Sequence, residues 1–83
     1  MARLLYFANL RERAGKPTEE IALPPHVKTG RQLLNWLSEE RPEMADILLN
    51  GKVRVALDEE LATLDKEIGG AREIALFPPM TGG

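Results

Sequence analysis

The sequence predicts an α+β domain in which a mixed sheet packs one main helix against one of its faces. Three observations support this class. Several segments are strand-like, because aliphatic and aromatic residues alternate along them or fill them. A single segment, "TGRQLLNWLSEER", carries a sustained helical repeat. The chain has 83 residues, which is enough for one domain with one small core.

The first two strands are predicted near the N-terminus. "RLLYFA", from Arg3 to Ala8, is apolar on both alternating faces and is therefore expected to be a central strand. A short charged turn, "NLRERAGKP", is expected next, with a break marked by Gly15 and Pro17. The second strand, "EEIALP", directs Ile21 and Leu23 inward, and we expect it to pair with the first as a hairpin.

The main helix is predicted from "TGRQLLNWLSEER". Thr29 and Gln32 have the spacing of a capping box, and Pro42 is expected to stop the helix. Leu33 and Trp36 lie three residues apart on the apolar stripe, so both are expected to face the sheet. A second, shorter helical turn is predicted over Glu43 to Leu49, before Asn50 and Gly51 turn the chain.

The remaining strands lie in the second half of the chain. "KVRVALDEEL" alternates like a strand, turns near Asp58 and Glu59, and leaves room for a short strand after the turn. "REIALF" places Ile74 and Leu76 on one face, with Ala75 and Phe77 on the other. A single helix cannot cover two faces of a sheet, so Phe7, Leu61 and Phe77 are candidates for an exposed partner surface. The alternative is that they fill a loop-covered corner of the core.

The composition narrows the classes of function. A net charge of −2 gives no electrostatic footprint for DNA or RNA. The absence of cysteine excludes disulfides and thiolate metal ligands, and it fits a reducing compartment. The apolar run from Leu4 to Leu10 is too short for a spanning helix or a signal peptide, so a cytoplasmic protein without membrane contact is expected.

Candidate catalytic and ligand-binding residues are few. His26 lies between Pro25 and Val27, where a solvated surface histidine is expected, and Ser38, the only serine, lies within the helix. Gly69 and Gly70 lack the lysine and hydroxyl of a phosphate-binding loop, and no metal site is expected. Three pairs of adjacent glutamates point their side chains apart and are expected to be solvated: Glu19 with Glu20, Glu39 with Glu40, and Glu59 with Glu60.

The chain ends in "FPPMTGG", which divides it into a domain over residues 1–77 and an extended tail over residues 78–83. The two prolines stiffen the departing chain, and the two glycines leave the terminal carboxylate unhindered. That carboxylate is ionised at neutral pH and is a poor acyl electrophile until another protein activates it. Extended, the six tail residues span about 20 Å, enough to reach a buried site in a partner.

The opening "LLYFANLRERAG", the central "VRVALDEEL" and above all the terminal "IALFPPMTGG" resemble the MoaD family, the small subunits of molybdopterin synthase. The resemblance covers the whole chain and implies a β-grasp, ubiquitin-like fold. It also implies a sulfur carrier that binds no permanent cofactor. A ubiquitin-activating-like enzyme would use ATP to adenylate Gly83, and a sulfur donor would convert it to a thiocarboxylate.

The resemblance further implies that the tail enters the large synthase subunit, in a heterotetramer of two small and two large subunits. Sulfur would pass there to cyclic pyranopterin monophosphate to build the dithiolene of molybdopterin. By position, Phe7, Leu61 and Phe77 resemble the hydrophobic docking residues of the family, and Arg11 resembles a charged contact to the activating enzyme. The tail residues that correspond to the family motif are Pro78, Pro79, Met80, Thr81, Gly82 and Gly83.

Two segments depart from the family pattern. Asp58 stands where many relatives have asparagine, and "IGGARE" replaces a more usual Gly-Asp-Glu arrangement. Three alternatives stay open: a sulfur carrier for thiamine or tRNA thiolation, a ubiquitin-like modifier joined to lysines, and a passive β-grasp interaction module. The sequence does not identify the sulfur donor or the individual partner proteins.

Overall fold

The computed structural model of the chain describes residues 1–79. It contains five strands: β1 (Ala2–Tyr6), β2 (Thr18–Ile21), β3 (Arg54–Leu57), β4 (Glu60–Ala62) and β5 (Glu73–Phe77). Three α-helices connect them, α1 (Ala8–Ala14), α2 (Gly30–Glu40) and α3 (Ala45–Leu48), with a 3₁₀ helix over Pro42–Met44. The predicted fold class, a mixed sheet with one main helix on one face, is confirmed.

The sheet has the strand order β2-β1-β5-β3-β4. The two central strands, β1 and β5, run parallel, and each of the other neighbouring pairs is antiparallel. The first and last strands of the chain therefore lie side by side in the middle of the sheet. This pairing places the end of β5, from which the tail continues, beside the end of β1.

The core lies between one face of the sheet and the helices. Leu4, Tyr6, Val55, Ile74 and Leu76 project from the sheet into it, and each is at most 2% exposed. The side chains that meet them come from all three α-helices and the 3₁₀ helix, and the buried ones are Leu10, Leu33, Leu34, Leu37, Met44, Ile47 and Leu48. Because the helices all pack on this side, the opposite sheet face carries no helix within residues 1–79.

Helix α2 begins and is oriented as the sequence predicts. The Thr29 hydroxyl accepts from the Gln32 amide at 3.2 Å, and the Gln32 side-chain oxygen accepts from the Thr29 amide at 3.1 Å. Both halves of the capping box are thus present. Leu33 is fully buried against the sheet, whereas Trp36 packs on the margin of the core and stays half-buried. Gly30 lies close to the Leu64 carbonyl, where a Cβ atom would come within 3.4 Å.

The main secondary-structure error of the sequence prediction concerns "NLRERAGKP", which is largely helical and not a turn. Helix α1 occupies Ala8–Ala14, ends at Gly15 with a left-handed φ of 76°, and buries only Leu10. A helix is predicted from apolar residues that recur every three or four positions, and one buried residue gives no such repeat. The first strand consequently ends at Tyr6 instead of Ala8, which adopts a left-handed φ of 52°.

A second correction concerns Glu19, which is not a solvated surface carboxylate. It accepts a hydrogen bond from the Tyr6 hydroxyl at 2.7 Å and another from the Arg41 guanidinium, on the helix side of the sheet. Burial disfavours ionisation of Glu19, but the hydrogen bonds from Arg41 and Tyr6 outweigh it and lower the pKa of Glu19. Burial, together with the bond to Glu19, raises the pKa of Tyr6. This cluster joins β1, β2 and the end of α2.

None of the helices within residues 1–79 combines the length and the apolar character needed to cross a membrane.

Candidate functional site

The sheet face opposite the helices, called here the open face, carries a continuous apolar band. The strand register places Leu5 beside Ala75, Ala75 beside Ala56, and Ala56 beside Leu61. Side chains alternate between the two faces of a strand, so these four point away from the core formed by their neighbours in sequence. The band therefore crosses β1, β5, β3 and β4 in one row.

An aromatic pair flanks this band at the end from which the tail leaves. The rings of Phe7 and Phe77 stack with their centroids 4.6 Å apart and their planes inclined by 13°. Phe77 is the last residue of β5, and Phe7 follows β1 as the extended N-cap residue of α1. Phe7 is still 39% exposed, so the pair presents apolar surface to solvent.

A hollow of about 320 Å³ opens between the aromatic pair and Leu61. Ala56 and Ala75 lie in its middle, where their short side chains leave the space unfilled. Leu61 forms the other border and is 70% exposed. An exposed apolar surface with a concave centre is typical of a protein-binding site, because a side chain of the partner can fill the hollow and displace water.

Charged side chains border the open face at the end away from the tail. Arg3 contacts Glu20 on β2 at 3.4 Å and Glu73 on β5 at 3.5 Å. Glu73 and Glu59 both line the hollow. Glu59 makes no ion pair within residues 1–79. The hollow is thus apolar inside with a carboxylate rim on one side.

The tail leaves from the opposite end of the open face. Pro78 is buried and Pro79 is half-buried, directly after Phe77. They border a depression of about 670 Å³ that also contains Lys52 and Arg54. Arg54 is the cross-strand partner of Phe77, so a positively charged side chain lies where the tail departs.

The two segments that depart from the family pattern contact each other. Asp58 Oδ1 accepts hydrogen bonds from the backbone amides of Arg72, at 3.0 Å, and Glu73, at 2.9 Å. The Asp58 amide donates to the Glu73 carbonyl at 2.9 Å. The loop before β5 and the turn between β3 and β4 are therefore held together beside the carboxylate rim of the hollow.

Of the predicted site residues, Phe7, Leu61 and Phe77 lie together around the hollow. Arg11 does not join them, because it is exposed on α1 and borders a separate depression with Lys16 and Pro17. The predicted tail residues Met80, Thr81, Gly82 and Gly83 lie outside the described residues. The sequence predicts that Ala75 shares a face of β5 with Phe77, but it does not identify Ala56, Ala75 or Glu59 as site residues.

The arrangement suits binding better than catalysis by side chains. Tyr6, Glu19 and Arg41, whose pKa values are shifted by burial and by the hydrogen bonds among them, lie on the helix side and not at the hollow. The open face offers an exposed apolar surface with charged borders, and Pro78 and Pro79 leave the domain beside it.

Comparison with known proteins agrees with this geometry. The ThiS family model matches residues 4–83. The chain is 33% identical over 84 residues to the molybdopterin synthase sulfur carrier subunit of Escherichia coli K12, and the alignment covers 100% of both chains. It is 34% identical over 83 residues to the corresponding subunit of Haemophilus influenzae, again with 100% of both covered.

Solved structures show the same fold. The crystal structure of SAMP1 from Haloferax volcanii superposes with a TM-score of 0.75 at 26% identity, covering 99% of this chain and 98% of that one. The solution structure of small archaeal modifier protein 1 from Methanosarcina acetivorans gives a TM-score of 0.73 at 22% identity, covering 99% and 95%. The chain therefore belongs to the ThiS family of ubiquitin-like β-grasp proteins, as a member of the MoaD type.

Proposed function

We propose that this chain is the sulfur carrier subunit of a molybdopterin synthase, with Gly83 as the group that carries the sulfur. The relatives named as such subunits match this chain over its whole length. Within the ThiS-family match, the aligned region extends to the terminal Gly83. The proposal therefore concerns both the docking surface and the chain end.

The observation that carries the proposal is the continuity between β5 and the tail. β5 supplies Ala75 and Phe77 to the hollow and then continues through Pro78 and Pro79. A partner that binds the open face consequently receives the chain at a fixed point beside the aromatic pair. From Pro78 to Gly83 the chain spans about 20 Å when extended, so the carboxylate can reach an active site inside that partner.

The carrier cycle has two chemical stages. In the first, the Gly83 carboxylate attacks the α-phosphorus of ATP on an activating enzyme, pyrophosphate leaves, and an acyl adenylate forms. A persulfide of a donor protein then displaces AMP and joins Gly83 through an acyl disulfide. A thiol attacks the donor-side sulfur of that bond, so the thiocarboxylate leaves and the thiol and the donor sulfur form a disulfide. In the second, the sulfur bonds to a side-chain carbon of cyclic pyranopterin monophosphate as an oxygen substituent leaves that carbon, and water cleaves the carbon–sulfur bond at Gly83 to restore the carboxylate. A second loaded carrier supplies the other sulfur of the dithiolene in the same way.

The partners follow from this cycle. The large subunit of molybdopterin synthase would bind the open face and receive the tail, in a heterotetramer of two small and two large subunits. A ubiquitin-activating-like enzyme would bind the same face and use ATP, with Arg11 on α1 as an additional charged contact. Since both partners would need Phe7 and Phe77, their binding to one carrier is expected to be mutually exclusive.

The decisive experiment is the intact mass of the protein purified from the cells that make it. A mass increase equal to one sulfur replacing one oxygen, located by fragmentation at Gly83, is expected. A variant lacking Gly83, expressed in the same way, is the matched control and should show no such increase. A carrier recovered only as the carboxylate, under conditions in which the cells make molybdenum cofactor, would contradict the proposal.

A second candidate function is covalent protein modification, which the likeness to the modifier protein SAMP1 of Haloferax volcanii favours. Its first step, adenylation of Gly83, is the same, but a lysine amine of a target then takes the place of sulfur. Fragment spectra of cell lysate would show Gly83 joined to lysine side chains. Detection of these conjugates in a strain that lacks molybdopterin synthase activity would establish this function independently.

Other sulfur acceptors would use the same chain end. Thiamine synthesis or tRNA thiolation would need a thiocarboxylate too, so the intact mass does not separate them. A deletion strain does separate them, because loss of molybdenum cofactor with normal thiamine and normal tRNA thiolation is expected. The reverse pattern would assign the carrier to one of these other pathways.

A further inference from the structure

The hollow on the open face has a shape that restricts what can dock there. Its middle is formed by Ala56 and Ala75, while the borders are the aromatic pair and Leu61. Two short side chains between large ones leave a cavity of about 320 Å³ and not a flat surface. Anchor residues of protein interfaces fill cavities of this kind. A partner that projects one large apolar side chain would therefore fit it, whereas a flat apolar surface would leave the cavity unfilled.

The backbone at the rim of the hollow is strained. Asp58 and Glu59 have φ values of 49° and 75°, so both residues of this tight turn are left-handed. Turns of this kind between antiparallel strands favour Asn or Asp followed by Gly. Asp58 fits that preference, but a glutamate at the second position is disfavoured because its Cβ crowds the backbone. Strained residues of this kind often have a functional role.

The charge of Glu59 affects which partner can dock over the hollow. Glu59 lines the hollow and makes no ion pair within residues 1–79, whereas the neighbouring Glu73 contacts Arg3. Docking of a partner over the hollow would remove water from Glu59. A carboxylate that loses water without gaining a positive charge opposes binding, so a partner that places a cation there is favoured over one that does not.

We propose that Glu59 is a specificity-determining residue of the open face. The preferred partner inserts one large apolar side chain between Leu61 and the aromatic pair, and it places a lysine or arginine against Glu59. This inference rests on the proposed function, in which that partner is the large subunit of molybdopterin synthase. The hydrogen bonds that the Asp58 carboxylate accepts from the loop before β5 hold the turn, and hence Glu59, at the rim.

The test uses the full-length carrier and the large subunit that serves it in the same cells, with affinity measured by calorimetry at low and at high salt. Glu59→Gly removes the charge and the backbone strain together. It should melt at a higher temperature than the wild type and yet bind about 3- to 10-fold more weakly at low salt. Unfolding cannot explain weaker binding by a more stable variant.

Charge and backbone effects are separated by two further variants. Glu59→Gln keeps the backbone strain, and it should weaken binding to a similar degree with a flatter salt dependence. Glu60→Gln changes the net charge equally but lies on the other face of β4, since Leu61 next to it faces the hollow. It should bind like the wild type.

The apolar half of the proposal is tested by filling the hollow. Ala75→Leu should reduce affinity at least about tenfold, because the added side chain occupies the space of the partner's anchor. It should fold normally, since Ala75 faces the hollow and not the core. Ala75→Ser, which keeps the space open, should bind far better than Ala75→Leu.

Unchanged affinity of Glu59→Gln and Glu59→Gly, or equal loss in Glu60→Gln, would overturn the role of Glu59. Normal binding by Ala75→Leu would overturn the filled hollow. Either result would leave the proposed function intact, because the wild type would still bind. Failure of the wild-type carrier to bind the large subunit would instead contradict the proposed function and this inference together.

Discussion

The stacked rings of Phe7 and Phe77, with centroids 4.6 Å apart, join the end of β1 to the end of β5 on the open face. These strands are the first and the last of the chain, and they run parallel in the centre of the sheet. The tail begins one residue after Phe77. The same contact therefore forms part of the exposed apolar surface and fixes the point from which the tail departs.

Truncation of either ring should weaken docking more than folding. Phe7→Ala and Phe77→Ala are each expected to cost about 2 kcal/mol or more in binding to the large subunit, because aromatic anchors contribute strongly when a partner buries them. Calorimetry of the two single variants and the double variant would measure the coupling. A coupling of about 0.5 to 1.5 kcal/mol is expected for stacked rings.

Arg11→Ala is the comparison for these variants. Its side chain is exposed on α1, outside the hollow, so its removal should change binding to the large subunit little. Unchanged affinity of both phenylalanine variants, with intact folds by circular dichroism, would mean that the open face is not the interface.

Ala8 should be a site where glycine stabilises the fold. It follows Phe7 directly and adopts a left-handed φ of 52°, which costs an L-residue about 1 kcal/mol or more. Ala8→Gly should therefore raise the free energy of unfolding in urea by a few tenths to about 1 kcal/mol, after the entropy that glycine adds to the unfolded chain. Ala14→Gly, within α1, should destabilise. Equal destabilisation by both would show that the strain at Ala8 is negligible.

Much of the fold could be predicted because its signals are local. The Thr29 and Gln32 capping box and the alternation around Ile74 and Leu76 act within a few residues, and the structure confirms both. Helix α1 could not be predicted in this way. Leu10 is its one buried residue, and its polar side chains make contacts elsewhere in the chain, such as the ion pair of Arg13 with Asp46 at 2.8 Å.

The candidate site was predictable only in part, for a similar reason. Counting apolar residues on the face without a helix identified Phe7, Leu61 and Phe77. The hollow depends on which strands are neighbours, because Ala56 and Ala75 leave a cavity only when β3 and β5 pair. The strain at Glu59 is a backbone angle, and the hydrogen bonds of Asp58 cross to a distant loop, so neither appears in the sequence.

Stability should fall in acid through Glu19. The pKa of Glu19 in the folded chain lies below the ordinary value of 4.5. The ionised carboxylate therefore contributes its full stabilisation above about pH 4.5, and this stabilisation is lost as the pH falls through the folded-state pKa. Glu19→Gln should lower the free energy of unfolding near neutral pH by about 1 to 2 kcal/mol and flatten its decline in acid. Urea titrations across the acid range would measure both. An unchanged acid slope would contradict this role.

Stability should also fall in alkali through Tyr6. The folded chain raises the pKa of its hydroxyl above the ordinary value of 10.0, so the contribution is complete below that pH and declines as the pH rises further. Tyr6→Phe should reduce the alkaline decline and cost about 1 kcal/mol at neutral pH through the lost hydrogen bond to Glu19. Ultraviolet titration of the phenol gives an independent measurement, and ionisation of Tyr6 near its ordinary pKa would contradict the prediction.

Leu33 should be essential to the core. It is fully buried between α2 and the sheet, so Leu33→Ala should cost about 2 to 5 kcal/mol in unfolding free energy. Trp36→Ala is the comparison. Because Trp36 packs only at the margin of the core, this variant should lose less unfolding free energy for each atom removed. A loss below about 1 kcal/mol for Leu33→Ala would show that the core collapses to fill the space.

The tail should depend on length more than on side-chain chemistry. If Gly83 carries the sulfur, its carboxyl carbon must reach the α-phosphorus of ATP in one partner and the pterin in another, at a fixed distance from the docked sheet. Deleting Gly83 shortens the reach by about 3.5 Å, and a misplacement of 1 Å can cost about a hundredfold in rate. The deletion should therefore abolish molybdopterin formation while calorimetry shows docking through Phe7 and Phe77 nearly unchanged.

Gly82→Ala should fold normally yet turn over more slowly, because the added methyl group would have to enter a partner channel that accepts bare backbone. Both variants would be incubated with the activating enzyme and ATP, followed for acyl adenylate, and then assayed with the large subunit after sulfur loading. Full activity of the Gly83 deletion would contradict the carrier proposal and leave the protein as a passive interaction module.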